Sequence, residues 1–267
     1  MNKVYVITGG GSGMGFEIAR LFGEKGTVII CGRTQSKIAG AVEKLKAENI
    51  DAHGVACDIS NLDSVKAFAE TASKLGDIQV VVNAAGVSPT MADAKTIYSI
   101  NMVGTYNIME AFYPIMGKGK TLINIASMAG HAQVLSEEVL AVYDKAGQDG
   151  FVEAACGVYN EPYGAYNLSK RFVIEYTRRN CVKYAKVGAR IVSISPGTFM
   201  TPMLGSEMEA DFVKDIVANT PVGRLGDPKE IAYLAEFLSS EKAGFICGTD
   251  VLIDGGYQDF FSVKQCE

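Results

Sequence analysis

Short runs of apolar and β-branched residues alternate along the chain with longer stretches in which apolar residues recur every three or four positions. The runs are typical of buried strands, and the longer stretches are typical of amphipathic helices. The first run, Val4 to Ile7, is followed by a glycine-rich turn and a helix predicted over 14–24. The same order repeats towards the end of the chain, with strands predicted at 27–31, 52–56, 78–82, 121–125, 190–193 and 251–253 and helices at 62–75, 98–116, 164–186 and 228–239.

This alternation predicts an α/β fold in which a doubly wound parallel sheet carries helices on both faces. No Pro/Ser-rich linker, charge block or internal repeat divides the chain. We therefore expect a single domain over residues 1–267.

Residues 131–162 interrupt the alternation between a predicted strand and the next predicted helix. They contain six acidic residues against one lysine, a net charge of −5. A solvated surface loop would tolerate this charge, but apolar residues near helical spacing favour an ordered, helical insertion. These apolar residues are Val134, Leu135, Val139, Leu140, Val142 and Tyr143.

Composition narrows the possible function classes. With 48% hydrophobic residues, the 267-residue chain can bury a sizeable core. Its net charge of −5 argues against a nucleic-acid partner, which needs concentrated Lys and Arg. No apolar run approaches the roughly 18–20 residues of a membrane helix, and glycines begin too early for a signal peptide. We expect a cytoplasmic protein with no membrane partner.

Cysteine and histidine usage excludes further chemistries. The six cysteines form no C-x-x-C pair and are interpreted as isolated, reduced thiols. Only His53 and His131 are present, so a histidine-based metal centre or a Ser-His-Asp triad has little to build from. We therefore predict no metal site.

The glycine-rich motif Thr8-Gly9-Gly10-Gly11-Ser12-Gly13-Met14-Gly15 lies between the first strand and the first helix. Glycines let the backbone turn tightly and approach a pyrophosphate, whose charge is stabilised by the helix N-terminus. An ordinary strand-to-helix turn is the alternative, but this position favours nucleotide binding. The spacing is T-G-x-x-x-G-x-G rather than G-x-G-x-x-G.

The residues after the second strand bear on the choice of cofactor. NAD-selective enzymes place an acidic side chain there to bind the adenosine ribose. This chain has Gly32-Arg33 instead, and an arginine there can pair with a 2′-phosphate. We predict NADP(H), the alternative being a solvated arginine on a turn.

Tyr166 and Lys170 are one helical turn apart, so their polar groups can share one site. Of the twelve tyrosines, only Tyr166 has a lysine at this spacing. The pair follows Ser127 at a strand end and Asn101 on a predicted helix. Ser136 is the only other serine between Ser127 and Tyr166, and Ser127 is favoured because it directly follows the strand.

With these motifs in this order, the chain resembles the short-chain dehydrogenase/reductases, in their compact one-domain branch, over essentially its full length. Two departures are an N-A-A-G sequence where the family has N-N-A-G, and a Ser127–Tyr166 separation of 39 residues, longer than in compact members. Further matching landmarks are Asp58-Ile59, Asn83-Ala84-Ala85-Gly86, Ser195-Pro196-Gly197, Thr201 and Asp254-Gly255-Gly256.

The resemblance implies a Rossmann-like fold, a nicotinamide cofactor and interconversion of a secondary alcohol and a ketone. Tyr166 would exchange a proton with the substrate oxygen, and Ser127 would hydrogen-bond the same oxygen. Lys170 would lower the pKa of Tyr166 and hold the nicotinamide ribose, and Asn101 would carry a water molecule. The expected cofactor-binding residues are Gly9, Gly11, Ser12, Gly13, Met14, Gly15, Arg33, Thr34, Asp58, Ile59, Asn83, Ala84, Ala85, Gly86, Tyr166, Lys170, Pro196, Gly197, Thr198 and Thr201.

The substrate is predicted to be bulky and apolar, such as a hydroxysteroid or bile acid. Met and Phe after Pro196-Gly197 suit an adaptable apolar wall, although ordinary packing is an alternative. The long segment before Tyr166 also resembles some bacterial hydroxysteroid dehydrogenases. The expected substrate-binding residues are Ser127, Tyr163, Phe199, Met200 and Met203.

Two other functions share these motifs: reduction of a 3-oxoacyl thioester or another carbonyl, and non-catalytic NADP(H) sensing. His131 is interpreted as a pocket-lining or structural residue rather than an additional acid. The family usually associates through the helices predicted over 98–116 and 164–186, which implies a homotetramer or homodimer.

Overall fold

The computed structural model describes residues 2–202, 204 and 210–264, and within them seven parallel strands form one sheet of order β3-β2-β1-β4-β5-β6-β7. The order reverses between β1 and β4, and in doubly wound sheets ligands bind in the crevice at such a point, beyond the carboxyl ends of the strands. The strands are Lys3–Thr8 (β1), Thr27–Gly32 (β2), Ala52–Ala56 (β3), Asp77–Asn83 (β4), Thr121–Ile125 (β5), Arg190–Pro196 (β6) and Asp250–Ile253 (β7).

Helices cover both faces of the sheet, so its central strands are apolar on both sides. One core includes side chains of α3, α4, α5 and α8, and the other includes side chains of α1, α2 and α10. The helices are Gly13–Gly23 (α1), Gln35–Ala47 (α2), Leu62–Leu75 (α3), Ala94–Tyr98 (α4), Gly104–Phe112 (α5), Glu137–Tyr143 (α6), Phe151–Val158 (α7), Pro162–Lys186 (α8), Ala210–Ala218 (α9), Pro228–Ser239 (α10) and Tyr257–Lys264 (α11). None of these described helices is long and apolar enough to span a membrane.

The helix predicted over 98–116 is not regular. It begins four residues earlier, at α4, widens to a π-helical turn over Ser99–Val103, and continues as α5. A 3₁₀ turn over Tyr113–Ile115 follows α5. Asn101 lies within the wide turn. Such turns occur frequently at functional sites.

The 131–162 insertion contains the helices α6 and α7. Tyr143 at the end of α6 donates a hydrogen bond to the Leu168 carbonyl oxygen of α8 (2.8 Å). The rings of Tyr143 and Phe151 each lie 5.3 Å from the ring of Phe172, between centroids. Val134 is an exception to the expected apolar face, since it is 75% exposed.

Candidate active site

The glycine-rich turn follows β1 at the carboxyl edge of the sheet. Gly9 has a positive φ of +67°, and a Cβ on Gly15 would overlap the Gly9 carbonyl oxygen, so both positions need glycine. α1 begins at Gly13, and its N-cap Ser12 makes no side-chain capping hydrogen bond. The N–H groups of this helix start therefore face an anion site that a pyrophosphate fits.

Two exposed residues, Arg33 and Thr34, follow β2 beside this turn. Among the described residues, Arg33 forms no ion pair. On the next strand, Asp58 is held by hydrogen bonds from the Ser60 backbone N–H (3.0 Å) and hydroxyl (2.7 Å), while Ile59 is buried. A guanidinium without a carboxylate partner fits a phosphate at this end of the groove.

The Asn83-Ala84-Ala85-Gly86 segment is attached to β1 by Thr8. The Thr8 hydroxyl donates to Asn83 Oδ1 (2.9 Å) and accepts from the Ala85 N–H (3.0 Å). Asn83 Nδ2 in turn donates to Asn124 Oδ1 on β5 (3.2 Å). The departure at Ala84 therefore leaves the segment anchored.

Tyr166 and Lys170 lie near the start of α8, with Lys170 Nζ 5.8 Å from the centre of the Tyr166 ring. Lys170 Nζ donates to the Ile125 carbonyl oxygen at the end of β5 (3.1 Å). Ser127, two residues further on, lies within hydrogen-bonding reach of the Tyr166 hydroxyl. Ser136 instead caps α6 by accepting from the Val139 N–H (3.3 Å). The structure therefore brings Ser127, and not Ser136, to Tyr166.

Burial dominates the protonation of both groups. It raises the pKa of the Tyr166 hydroxyl, which the hydrogen bond from Ser127 lowers only in part. Burial also lowers the pKa of Lys170 to about 8. The lowering of the Tyr166 pKa expected from the sequence is therefore not produced by the protein's own groups.

Asn101 connects the segment after β4 with α8. Its Oδ1 accepts from the Val87 N–H (3.0 Å), and its Nδ2 donates to the Val87 carbonyl oxygen and to Ser169 Oγ (3.1 Å each). A Cβ on Gly86 would lie 3.2 Å from Asn101 Oδ1 and 3.4 Å from Lys170 Nζ. Gly86 therefore leaves open the space in which Asn101, Lys170 and the β4 loop meet.

The segment after β6 packs beside the glycine-rich turn. A Cβ on Gly13 would lie 3.5 Å from the Thr201 Cβ, which sets Thr201 over the start of α1. Pro196 ends β6, and Gly197 lies so close to Asp254 that a Cβ there would be 2.7 Å from the Asp254 Cα. Thr201 is therefore available to the same anion site.

The expected substrate residues have different surroundings. Phe199 is only 5% exposed and packs on Gly226 beside a cavity of about 220 Å³ that neither Ser127 nor Tyr166 lines. This placement fits ordinary packing better than a substrate wall. Tyr163 and Met200 are 67% and 59% exposed. Met203 lies outside the described residues.

Sequence reasoning missed part of an exposed apolar rim, which we define as Met91, Val134, Tyr163 and Met200. These residues lie on the loops after β4, β5 and β6 and at the start of α8, around the edge of the sheet that carries Tyr166. Met91 had a signal in the sequence, because it follows the Asn83–Gly86 segment by only five residues.

The cysteines are not all isolated. Cys31 ends the buried part of β2, and Cys57 follows β3 with its N–H bonded to the Gly32 carbonyl oxygen (3.0 Å). A hydrogen bond between the two thiols lowers the pKa of Cys57 to about 7. The expectation of six isolated thiols is therefore wrong for this pair.

Comparison with known proteins agrees with the fold and the motif order. The short chain dehydrogenase family model matches residues 3–160, and a model described as enoyl-(acyl carrier protein) reductase matches residues 152–258. A short-chain dehydrogenase/reductase of Alternaria brassicicola is 32% identical, with 98% of each chain covered. The L-fucose dehydrogenase of Bos taurus is 30% identical, with 95% of this chain and 88% of the relative covered.

A solved structure of 7α-hydroxysteroid dehydrogenase, complexed with NADH and 7-oxo glycochenodeoxycholic acid, is similar with a TM-score of 0.79. It is 25% identical, and the match covers 95% of this chain and 93% of that chain. The chain belongs to the short-chain dehydrogenase/reductase family, whose members are oxidoreductases that use nicotinamide cofactors.

Proposed function

We propose that this chain is an NADP(H)-dependent oxidoreductase that interconverts a secondary alcohol and a ketone on a bulky apolar substrate. The observation that carries the proposal is the cluster of Ser127, Tyr166 and Lys170 at one edge of the sheet. A non-catalytic sensor would not need the buried lysine beside this tyrosine, because burying a cation is costly.

The bound nicotinamide would supply or accept the hydride at the substrate carbon. In the reductive direction, the Tyr166 hydroxyl donates its proton to the substrate oxygen. Ser127 donates a hydrogen bond to the same oxygen and stabilises its developing negative charge. Lys170, with its pKa near 8, exchanges a proton readily at neutral pH and is placed to restore the Tyr166 proton.

Arg33 supports NADP(H) over NAD(H), because it is exposed and forms no ion pair among the described residues. The glycine-rich turn and Thr201 would hold the pyrophosphate, and Asp58 and Ile59 would border the adenine. The similar hydroxysteroid dehydrogenase structure contains NADH, so this preference depends on Arg33 itself rather than on the relatives.

The exposed apolar rim supports a bulky apolar substrate, since it lines the approach to Ser127 and Tyr166 with Met and aromatic surface. A steroid-like alcohol or ketone fits this surface, and the hydroxysteroid dehydrogenase relative acts on such a molecule. A sugar would leave its hydroxyl groups unpaired against this rim. The fucose dehydrogenase relative makes a sugar the comparison to test.

The experiment is oxidation of NADPH with a panel of ketosteroids, sugars, quinones and 3-oxoacyl thioesters, compared by kcat/KM. We expect the highest values with ketosteroids. Preferred turnover of a sugar would contradict the apolar substrate, and preferred turnover of a 3-oxoacyl thioester would favour the alternative function. No turnover with any carbonyl compound would contradict the catalytic proposal.

Tyr166→Phe tests the acid directly. We expect it to abolish turnover while NADPH affinity stays within about twofold, because the hydroxyl acts on the substrate oxygen. Tyr5→Phe is the matched control, since Tyr5 packs against Phe22 within the other core and removing its hydroxyl should leave kcat unchanged. Substantial activity of Tyr166→Phe would show that another group donates the proton.

A further inference from the structure

His131 lies at the end of the short turn that begins with Ser127. Ser127 caps a 3₁₀ turn over Met128–Gly130, and the His131 N–H donates to the Met128 carbonyl oxygen (2.9 Å). Its Nε2 lies 2.8 Å from Asp250 Oδ2, at the start of β7. Asp250 Oδ1 accepts from the Ser193 hydroxyl of β6 (2.5 Å). The histidine is therefore attached to the sheet through a nearly buried carboxylate.

The other side of the same turn is held by α8. A Cβ on Gly130 would lie 2.8 Å from the Lys170 carbonyl carbon, so the turn packs directly on the helix backbone. Gln258 of α11 also donates to the Met128 carbonyl oxygen (3.3 Å). The turn that carries Ser127 is thus clamped between α8 and the last strand.

The long insertion makes such a clamp necessary. Ser127 and Tyr166 are 39 residues apart, and the insertion between them attaches to α8 only from Tyr143 onwards through the Leu168 carbonyl oxygen and the Phe172 ring. Chain connectivity therefore does not fix Ser127 relative to Tyr166. Contacts made before the insertion leaves the sheet must do so, and His131 makes the one polar side-chain contact to the sheet that we find in this turn.

We propose that His131 and Asp250 are a positioning pair that holds Ser127 in register with Tyr166. The inference rests on the proposed function in one respect: Ser127 must hydrogen-bond the substrate oxygen. His131 itself need not touch the substrate, because its ring nitrogen faces Asp250.

Loss of the pair should affect kcat and spare nucleotide binding. Misplacing a reacting group by about 1 Å can cost roughly a hundredfold in rate, so we expect His131→Ala to lower kcat by about tenfold to a hundredfold. The glycine-rich turn and Arg33 are on the other half of the sheet, so the Kd of NADPH should stay within about twofold.

The experiment measures kcat, KM and the Kd of NADPH for His131→Ala, His131→Gln, Asp250→Asn and Asp250→Ala, using the ketone that the wild type reduces fastest. Rates are expressed per NADPH-binding site, so that unfolded protein does not count. We expect partial recovery in His131→Gln, whose amide can still donate to Asp250. The double variant His131→Ala/Asp250→Ala should be no slower than the slower single variant, because the two residues act as one unit.

His53→Ala is the matched control, because His53 is the other histidine and pairs with Asp51 (3.3 Å) at the far edge of the sheet. It should keep the wild-type kcat. A wild-type kcat per binding site in His131→Ala, or additive losses in the double variant, would overturn the positioning role. Ser127→Ala separates the two proposals: if it is inactive while His131→Ala is fully active, only this inference fails. If Ser127→Ala retains full activity, the proposed role of Ser127 fails and the inference falls with it.

Discussion

Arg33 is the charged residue on which the predicted cofactor preference depends. A bidentate contact with a 2′-phosphate is worth about 1.5–3 kcal/mol, which corresponds to roughly a tenfold to hundredfold preference for NADPH. We expect Arg33→Asp to remove this preference and to favour NADH, because a carboxylate repels the phosphate and accepts from the ribose hydroxyls. The measurement is kcat/KM with each cofactor.

Lys44→Asp is the matched control for Arg33→Asp. It makes the same change in charge on the exposed face of α2, which follows Arg33 directly. The ratio of the two cofactor efficiencies should stay at its wild-type value in this variant. Equal efficiencies in the wild type, or the same ratio in Arg33→Asp, would contradict the role of Arg33.

Lys170 makes stability depend on pH. Below about pH 8 it is protonated in both states, and the folded state carries the cost of a buried charge. Between about pH 8 and 10.5 the unfolded chain binds more protons, so the free energy of unfolding rises with pH, by up to about 3 kcal/mol. We expect Lys170→Met to remove this rise while it abolishes turnover.

Urea unfolding from pH 7 to 10.5 measures this effect. The wild type and the control Lys66→Met, whose lysine is exposed on α3, should gain stability across this range relative to Lys170→Met. Tyr166 also titrates in the alkaline range, so the comparison between variants, rather than the absolute slope, carries the test. Parallel profiles for the wild type and Lys170→Met would refute the prediction.

At the scale of elements, the connection between β1 and α1 allows a test with two glycines. A Cβ on Gly15 would overlap the Gly9 carbonyl oxygen, whereas a Cβ on Gly40 within α2 meets no atom within 4 Å. We expect Gly15→Ala to destabilise the protein and to prevent NADPH binding. Gly40→Ala should stabilise it by about 0.5–1 kcal/mol, because alanine is the better helix former.

Thermal unfolding and NADPH titration of both variants check this pair. Gly40→Ala should bind NADPH as the wild type does, since Gly40 lies on α2 and outside the glycine-rich turn. Normal NADPH affinity in Gly15→Ala would mean that the turn tolerates a side chain, and the nucleotide site would then have to lie elsewhere.

Strands and regular helices were predictable because their signals are local. The β5 run Thr121–Ile125 is bounded by polar or glycine-rich turns, and α10 starts with Asp227-Pro228 followed by Glu230, a capping box that the structure contains. The π-helical turn at Ser99–Val103 was not predictable. It accompanies hydrogen bonds between Asn101 and Val87, and such a tertiary contact leaves no periodic signal.

The site divides in the same way. The glycine-rich turn and the Tyr166–Lys170 pair depend on spacings of a few residues, which the sequence displays directly. His131 and Asp250 are 119 residues apart and meet only because β5, β6 and β7 are neighbours in the sheet. The burial of Phe199 likewise depends on its packing against Gly226, which follows it by 27 residues.

At the scale of the whole molecule, the insertion changes which surfaces are free. The Gly147 backbone packs on the Tyr106 ring of α5, and Phe151 covers Phe172 of α8. Phe172 in turn stacks on Tyr176 (4.9 Å between ring centres). The helices through which relatives commonly associate therefore already carry part of this chain on their aromatic surface.

The opposite end of the sheet remains open among the described residues. No described strand pairs with the outer side of β7, and unpaired strand edges favour association. Close by in sequence, Phe245 is fully exposed, and Tyr233 and Phe237 on α10 are more than two-fifths exposed. We therefore expect a homodimer or homotetramer in which a second copy covers the surface formed by β7 and these three aromatic residues.

Light scattering at micromolar concentration should give a multiple of the 28.5 kDa chain mass, and a monomer would refute association. In a two-fold interface each substitution acts twice. Burying a phenylalanine is worth about 1.5–3 kcal/mol, so Phe245→Asp should weaken the dimer by at least about a hundredfold. Val182→Asp, on the exposed surface of α8, should leave the mass unchanged if association uses β7. The reverse result would assign the interface to α8 and its neighbour α5.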